Sequence, residues 1–274
     1  MIEFLKAILF GIVEGITEWL PVSSTGHMIL LDEFIKLDVS EEFYEMFQVV
    51  IQLGAIMAVV ILFWGKIFPI AKKGNVYRIQ KDVMSLWGKI IVACVPAAVV
   101  GLLFDDVFEA LFYNYVSVSI ALIVFGVAFI VVENVHNKKI PKVSSASDIT
   151  YKLALAIGLF QLIAAVFPGT SRSGATIVGA LLLGVSRVAA AEFTFYLAIP
   201  VMFGASLLKL IKFGFDFTST ELGILAIGMV TAFAVSMLII KFLLSYIKKH
   251  DFKVFGWYRI ALGALVLLYF GVIA

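Results

Sequence analysis

Charge is scarce in this sequence. Only 15% of its 274 residues are Asp, Glu, Lys or Arg, and the formal net charge is +2. A balance that small and scattered gives no basic surface for nucleic acid. There is one cysteine, Cys94, in the apolar run IIVACVPAAVVG. It can form no intramolecular disulfide and is expected to pack as a small hydrophobe. Of three histidines, His136 and His250 fall in lysine-rich loops, so His27 alone lies in apolar sequence. No secretory leader is expected either, because Glu3 precedes Lys6 and no small-residue cleavage site follows. Hydrocarbon makes up the rest: 62% of residues are hydrophobic and the mean hydropathy is +1.08. Soluble domains run nearer about 45–50% apolar and about 25% charged. The composition is that of an all-α polytopic membrane protein.

Against that background the stretch Glu14 to His27, EGITEWLPVSSTGH, is anomalous. A charge at the bilayer centre costs about 2.5–3.5 kcal/mol even on the lenient insertion scale. No lysine or arginine lies between Lys6 and Lys36 to pair with these glutamates. Residues 2–20 read as an apolar helix broken by Pro21, and 25–35 as a return half-helix of roughly 16 Å. Two short helices around an irregular tip make a re-entrant hairpin, tolerated only where protein or water satisfies the backbone.

The other spans follow from hydropathy. Residues 46–64, 90–104 and 110–132 are long enough to cross, after an acidic loop at 32–45. The loops at 65–89 and 134–152 are basic, with Lys66, Lys72, Lys73, Arg78, Lys81, Lys89, then Lys138, Lys139 and Lys142. The loop at 105–110 is acidic, with Asp105, Asp106 and Glu109. The positive-inside rule puts the basic loops in the cytoplasm and 105–110 outside. The second half starts inside: 153–167 up to Pro168, a return half-helix at 175–185, an inside turn at Arg187, and spans 193–208, 222–243 and 254–273. Lys209 and Lys212 near the outer loop speak weakly against this orientation.

The halves are similar to each other. A shift of 147 positions sets Pro21 on Pro168, Ser24 on Ser171, Glu14 on Gln161 and Glu45 on Glu192. The expectation is a single membrane domain over 1–274, built from repeats at 1–140 and 150–274 of inverted topology. Six transmembrane helices and two re-entrant hairpins then place a site at the midplane, where the hairpin tips meet.

Glu14 and Glu18 are four apart, on one helix face. Close carboxylates need a cation or a shared proton, and hard oxygen ligands suit Mg²⁺ or Ca²⁺. Arg172 sits in PGTSRSG after a helix-breaking proline, where a guanidinium, hydroxyls and the N–H groups of a new helix make a phosphate cradle. Gly169, Thr170, Ser171, Ser173, Gly174 and Thr176 are its candidate members, with Ser23, Thr25 and Gly26 from the first tip. His27 is a candidate acid or nucleophile; Ser24 is the competing nucleophile, with His27 as its base. Left apart, Glu14, Glu18 and Arg172 would cost about 8–10 kcal/mol, against a folding stability of about 5–15 kcal/mol. Convergence around a metal and an anion removes most of that cost.

VEGITEWLPVSSTGH followed by PGTSRSGATI resembles the bacterial undecaprenyl-diphosphatase family, also called bacitracin-resistance proteins. The likeness extends over the whole chain, including FQVVIQLGAIMAVV and FGWYRIALGALVLLYF. It implies an enzyme of the bacterial cytoplasmic membrane that removes the terminal phosphate of a polyprenyl diphosphate lipid. The product is the carrier lipid for cell-wall polymers. The resemblance also implies a homodimer with an externally open site. The family's E-x-x-x-E motif falls on Glu14 and Glu18, its Ser and His on Ser24 and His27, and its PGxSRSxxT motif on Pro168 to Thr176. Two other classes fit parts of the pattern. A phosphatidic-acid-phosphatase pattern needs a second histidine after the SR pair, and none occurs between Arg172 and His250. A lipid flippase or ion-coupled transporter also suits broken helices and inverted repeats.

Overall fold

In the computed structural model the described residues are 1–73, 76–137, 140–214 and 216–273. Lys138 and Lys139 fall outside them, as do the side chains of Lys72, Lys73, Asp105, Asp106 and Glu109. The chain is helical almost throughout. Its helices are α1 (Ile2–Thr17), α2 (Ser24–Phe34), α3 (Glu41–Leu62), α4 (Trp64–Ile67), α5 (Lys81–Phe112), α6 (Tyr115–His136), α7 (Tyr151–Val166), α8 (Arg172–Leu182), α9 (Arg187–Phe213), α10 (Ser219–Ile247) and α11 (Lys253–Leu268). A small hairpin of β1 (Ile70–Lys73) and β2 (Val76–Ile79) precedes α5. Among the described residues, six helices are long and apolar enough to cross a membrane: α3, α5, α6, α9, α10 and α11 with its extension to Val272. Large side chains such as Leu102, Leu103, Val230 and Leu238 are exposed, as a lipid-facing surface requires. The expected all-α polytopic architecture is present.

Several boundaries differ from the hydropathy reading. Residues 105–110 are not a loop, because α5 runs through them to Phe112 despite Pro96 inside it. The acidic loop is shorter than 32–45: Ser40 caps α3, and Glu41 and Glu42 sit in its first turn, where carboxylates suit the positive helix end. His136 is no loop residue but the buried last residue of α6, its Nδ1 3.3 Å from the Leu181 carbonyl oxygen. Lys209 bonds Glu45 at 3.2 Å, which accounts for a lysine at the acidic end.

The packing exchanges partners between the halves. Gly11 and Gly15 of α1 lie against Gly228 and Ala232 of α10, so these helices run parallel. Gly88 and Ala93 of α5 meet Tyr151 and Gly158 of α7, again parallel. By contrast α3 and α9 are antiparallel, with the Ser206 hydroxyl donating to the Val49 carbonyl and Phe63 edge-on to Tyr196. Antiparallel too are α6 and α11, which pair Tyr115 with Phe270, Gly126 with Gly256 and Phe129 with Phe252. A Cβ on Gly126 would lie 2.7 Å from the Gly256 carbonyl oxygen, so only glycine allows this approach.

Each short helix pair returns to the end where it began. At the acidic end, Lys6 donates to the Lys36 carbonyl and Glu3 accepts from the Asp38 N–H, tying the start of α1 to the end of α2. At the basic end the Lys142 N–H donates to Gly184 O, just beyond α8. There Glu133, wholly buried, takes a bidentate pair from Arg187 and the Phe252 N–H at 2.9 Å. Arg187 also bonds Asn137, so one carboxylate fastens α6, α9 and the start of α11.

Candidate active site

The turns between α1 and α2 and between α7 and α8 meet inside the helix bundle. Ser23 (φ 73°) and Ser171 (φ 69°) are the non-glycine residues with positive φ among those described. Each costs about 1–3 kcal/mol in strain, which the surroundings must offset. Part of the offset is helix capping: Ser23 Oγ accepts from the Gly26 N–H (3.4 Å), and Ser171 Oγ from the Gly174 N–H (3.2 Å). Two helix N-termini, with their N–H groups and positive dipole ends, are thereby aimed at one region. The structural mate of Ser171 is thus Ser23, not Ser24 as the 147-residue shift has it. The spacing between the halves also drifts: α1 and α7 start 149 residues apart, α2 and α8 148, α3 and α9 146.

Across the tips runs an ion pair. Arg172 Nη2 bonds Glu18 Oε1 at 2.9 Å, and Arg172 Nη1 donates to the Thr194 carbonyl at 3.0 Å. The second Glu18 oxygen accepts the Ser24 hydroxyl at 3.0 Å, and Ser173 Oγ donates to the Glu18 carbonyl at 3.3 Å. Ser171 and Ser173 hydroxyls are 3.1 Å apart, while Thr176 bonds Thr194, Oγ1 to Oγ1, at 2.8 Å. The structure therefore brings Glu18 and Ser24 of one tip together with Arg172 and Ser173 of the other, Glu18 and Arg172 lying 154 positions apart in sequence. Gly169 has φ +88°, and a Cβ there would lie 2.6 Å from the Val118 carbonyl oxygen, so the second tip needs glycine. Gly26 is buried against Leu122, and Thr25 is half-buried beside it.

His27 is placed otherwise than expected. Its Nδ1 is 2.7 Å from the Ser23 carbonyl oxygen and its Nε2 2.7 Å from the Tyr258 hydroxyl. The Ser24 hydroxyl bonds the Glu18 carboxylate, so the group poised to take the serine proton is Glu18 and not His27. Glu14 is fully buried, and its Oε1 has no hydrogen-bond partner. Thr170 Oγ1 and both side-chain ends of Gln161, the residue matched to Glu14 by the repeat, are likewise buried without one.

Those orphaned oxygens bear on a metal. Among the described residues there is no cluster of three or more His, Cys, Asp and Glu side chains. The Glu14–Glu18 pair does not amount to an all-protein cage. It does fit Mg²⁺ bound by one or two carboxylates, with phosphate oxygens and water completing the shell. The unpartnered Glu14 Oε1 is the atom such a cation would satisfy.

Arg259 was not singled out from the sequence. It is completely buried, and donates to Pro21 O (3.3 Å), Gly169 O (2.9 Å) and Thr170 O (2.7 Å). One guanidinium on α11 thus ties the backbones of both tips. The signal available was the one that exposed Arg172: a cation inside an apolar span costs several kcal/mol unless it holds something.

Comparisons with known proteins identify the family. The family model described as bacitracin resistance protein BacA matches residues 7–265. The undecaprenyl-diphosphatase of Desulfitobacterium hafniense is 67% identical over 270 residues, 98% of this chain and 97% of the relative. The undecaprenyl-diphosphatase 1 of Clostridium acetobutylicum is 67% identical, covering 98% of each chain. That of Enterococcus faecalis is 65% identical over 97% of each. A match spanning both hairpins and every long helix that frames them places the chain in the bacitracin resistance protein BacA family.

Proposed function

We propose that this chain hydrolyses undecaprenyl diphosphate to undecaprenyl phosphate and inorganic phosphate, recycling the carrier lipid for cell-wall synthesis and countering bacitracin. The observation that carries the reading is the Glu18–Arg172 pair with Ser24 on its free oxygen, joining a base, a hydroxyl and a phosphate-gripping cation across two tips. Lipid transfer without hydrolysis leaves the Ser24–Glu18 bond without a task.

In the proposed reaction Arg172 and the N–H groups opening α2 and α8 grip the diphosphate, with Ser171, Ser173 and Thr176 lining the cradle. Ser24 Oγ attacks the terminal phosphorus and its proton passes to Glu18. The bond from that phosphorus to the bridging oxygen breaks, and the lipid phosphate leaves with a proton from a site acid, for which His27 is the candidate. Water then attacks the phosphoserine and gives its proton to the now neutral His27, while Glu18 returns its proton to the Ser24 oxygen as the serine–phosphorus bond breaks, freeing inorganic phosphate. Glu14 and Glu18 would hold a divalent cation, which when bound neutralises charge on the diphosphate.

The orientation we propose makes the basic end cytoplasmic by the positive-inside rule. The α1–α2 hairpin then enters from outside, α7–α8 from inside, and the halves form an inverted repeat with an externally open site. The packing supports this, since equivalent helices running antiparallel require a two-fold axis across the helices. The assembly we expect from the family resemblance is a homodimer, testable by cross-linking in native membranes. The decisive assay is phosphate release from a prenyl diphosphate by purified protein in detergent. Release with Mg²⁺ that stops on chelation and returns on readdition is expected. No release at any metal concentration would sink the enzyme reading.

A further inference from the structure

Tyr258 had no part in the sequence argument, yet it is the partner that decides what His27 can do. A backbone carbonyl can only accept, so the 2.7 Å contact to Ser23 O puts the proton on His27 Nδ1. The other nitrogen then carries a lone pair in the neutral ring and accepts the Tyr258 O–H, also at 2.7 Å. The two rings are parallel within 4°, with centroids 5.6 Å apart. Both ring nitrogens are occupied, so His27 has no free lone pair to attack phosphorus while this pair stands. Tyr258 is 47% exposed, whereas its chain neighbour Arg259 is wholly buried and bonded to the tip behind His27. The pair therefore has a fixed back, made by the strained Ser23 and by Arg259, and an open front at the tyrosine hydroxyl.

We infer that Tyr258 is a catalytic proton relay, which passes the His27 proton to the departing lipid phosphate and keeps His27 from acting as a nucleophile. The inference rests on the phosphatase reading above. In the charged ring Nε2–H donates to Tyr258 Oη, which frees the tyrosine proton to point outward. As the bridging oxygen leaves phosphorus it takes the Tyr258 proton, and Tyr258 takes the one on Nε2. The hydroxyl ends as it began, His27 ends neutral, and the lipid phosphate carries the proton away. The charged and titratable groups facing the ring are Tyr258 and the Arg259 guanidinium, both from α11.

The test is a double-mutant cycle on purified protein, read as kcat and KM for phosphate release across a pH series. Tyr258→Phe keeps the stacked ring and removes only the hydroxyl. We expect kcat to fall about tenfold, within the range for a proton-transfer group, with KM within twofold and an unchanged melting temperature. In a His27→Gln background the same substitution should cost nothing further, and the pH limb missing from His27→Gln should be displaced in Tyr258→Phe. Independent, multiplying losses would overturn the inference, as would a Tyr258→Phe enzyme equal to wild type. A trapped phosphohistidine would overturn it as well. Wild type releasing no phosphate would instead defeat the phosphatase reading, so the two failures are distinguishable.

Discussion

Arg172 and Arg259 are both guanidiniums at the hairpin tips, but they hold different things. Arg172 faces a carboxylate and can exchange it for a phosphate; Arg259 faces three carbonyls, with no carboxylate among its bonds. Their substitutions should separate accordingly. Arg172→Ala should lower phosphate release at least 100-fold, on the scale of losing one oxyanion donor at about 2.7–4 kcal/mol, and leave thermal unfolding in detergent nearly unchanged. Residual activity near wild type would remove Arg172 from the site. Arg259→Met should destabilise the fold by about 3 kcal/mol or more, since buried acceptors left unpaired cost about 1–3 kcal/mol each. An unaltered melting temperature would contradict the clamp. Glu14, Glu18 and Arg172 were legible beforehand because each was a charge with no local partner in an apolar run. Arg259 lay inside the span at 254–273 and carried the same signal, but it sits in no motif and has no counterpart at the hairpin tips in sequence. Tyr258 carried no signal, since a tyrosine in a membrane helix needs no explanation.

Helix contacts set the tolerances at the next scale. A Cβ on Gly54 would come 2.1 Å from the Met229 carbonyl oxygen, while one on Gly101 meets nothing within 4 Å. Gly54→Ala should therefore push α3 from α10 and cost about 1–3 kcal/mol. Gly101→Ala, in an open stretch of α5, should stabilise by about 0.5–1 kcal/mol. Chemical denaturation in mixed micelles would show the opposite signs, and like signs would refute the packing. Most long helices were legible from hydropathy to within about six residues at each end. Neither end of α5 was: it runs from Lys81, inside the stretch read as a loop at 65–89, to Phe112. Asp105, Asp106 and Glu109 suggested a loop, but acidic residues continue a helix readily once it leaves the hydrocarbon. The offset between Ser23 and Ser24 escaped for a related reason: sequence matching rewards identical residues, whereas backbone geometry decides which serine caps.

For the whole molecule, sidedness is the property to check. With Cys94→Ala as background, Glu33→Cys at the acidic end should react with an impermeant thiol reagent added to intact cells. Lys249→Cys at the basic end should react only after lysis. The reverse pattern would invert the orientation and move the site's opening to the cytoplasm. The similarity between halves was visible in sequence, but the pairing of α1 with α10 and α7 with α5 was not, because hydropathy says nothing about neighbours.

That pairing has a consequence for biogenesis. Helix α1 finds its partner only when α10 has been made, and the clasp at Arg259 arrives later still, with α11. The reaction centre therefore cannot assemble during synthesis of the first half, however early Glu14 and Glu18 enter the membrane. The Glu18 carboxylate must wait, protonated or hydrated, until α8 delivers Arg172, and the two tips are clasped only when α11 delivers Arg259. A chain ending after Lys249 should insert yet stay inactive and protease-sensitive, and co-expression of α11 as a separate piece should rescue it.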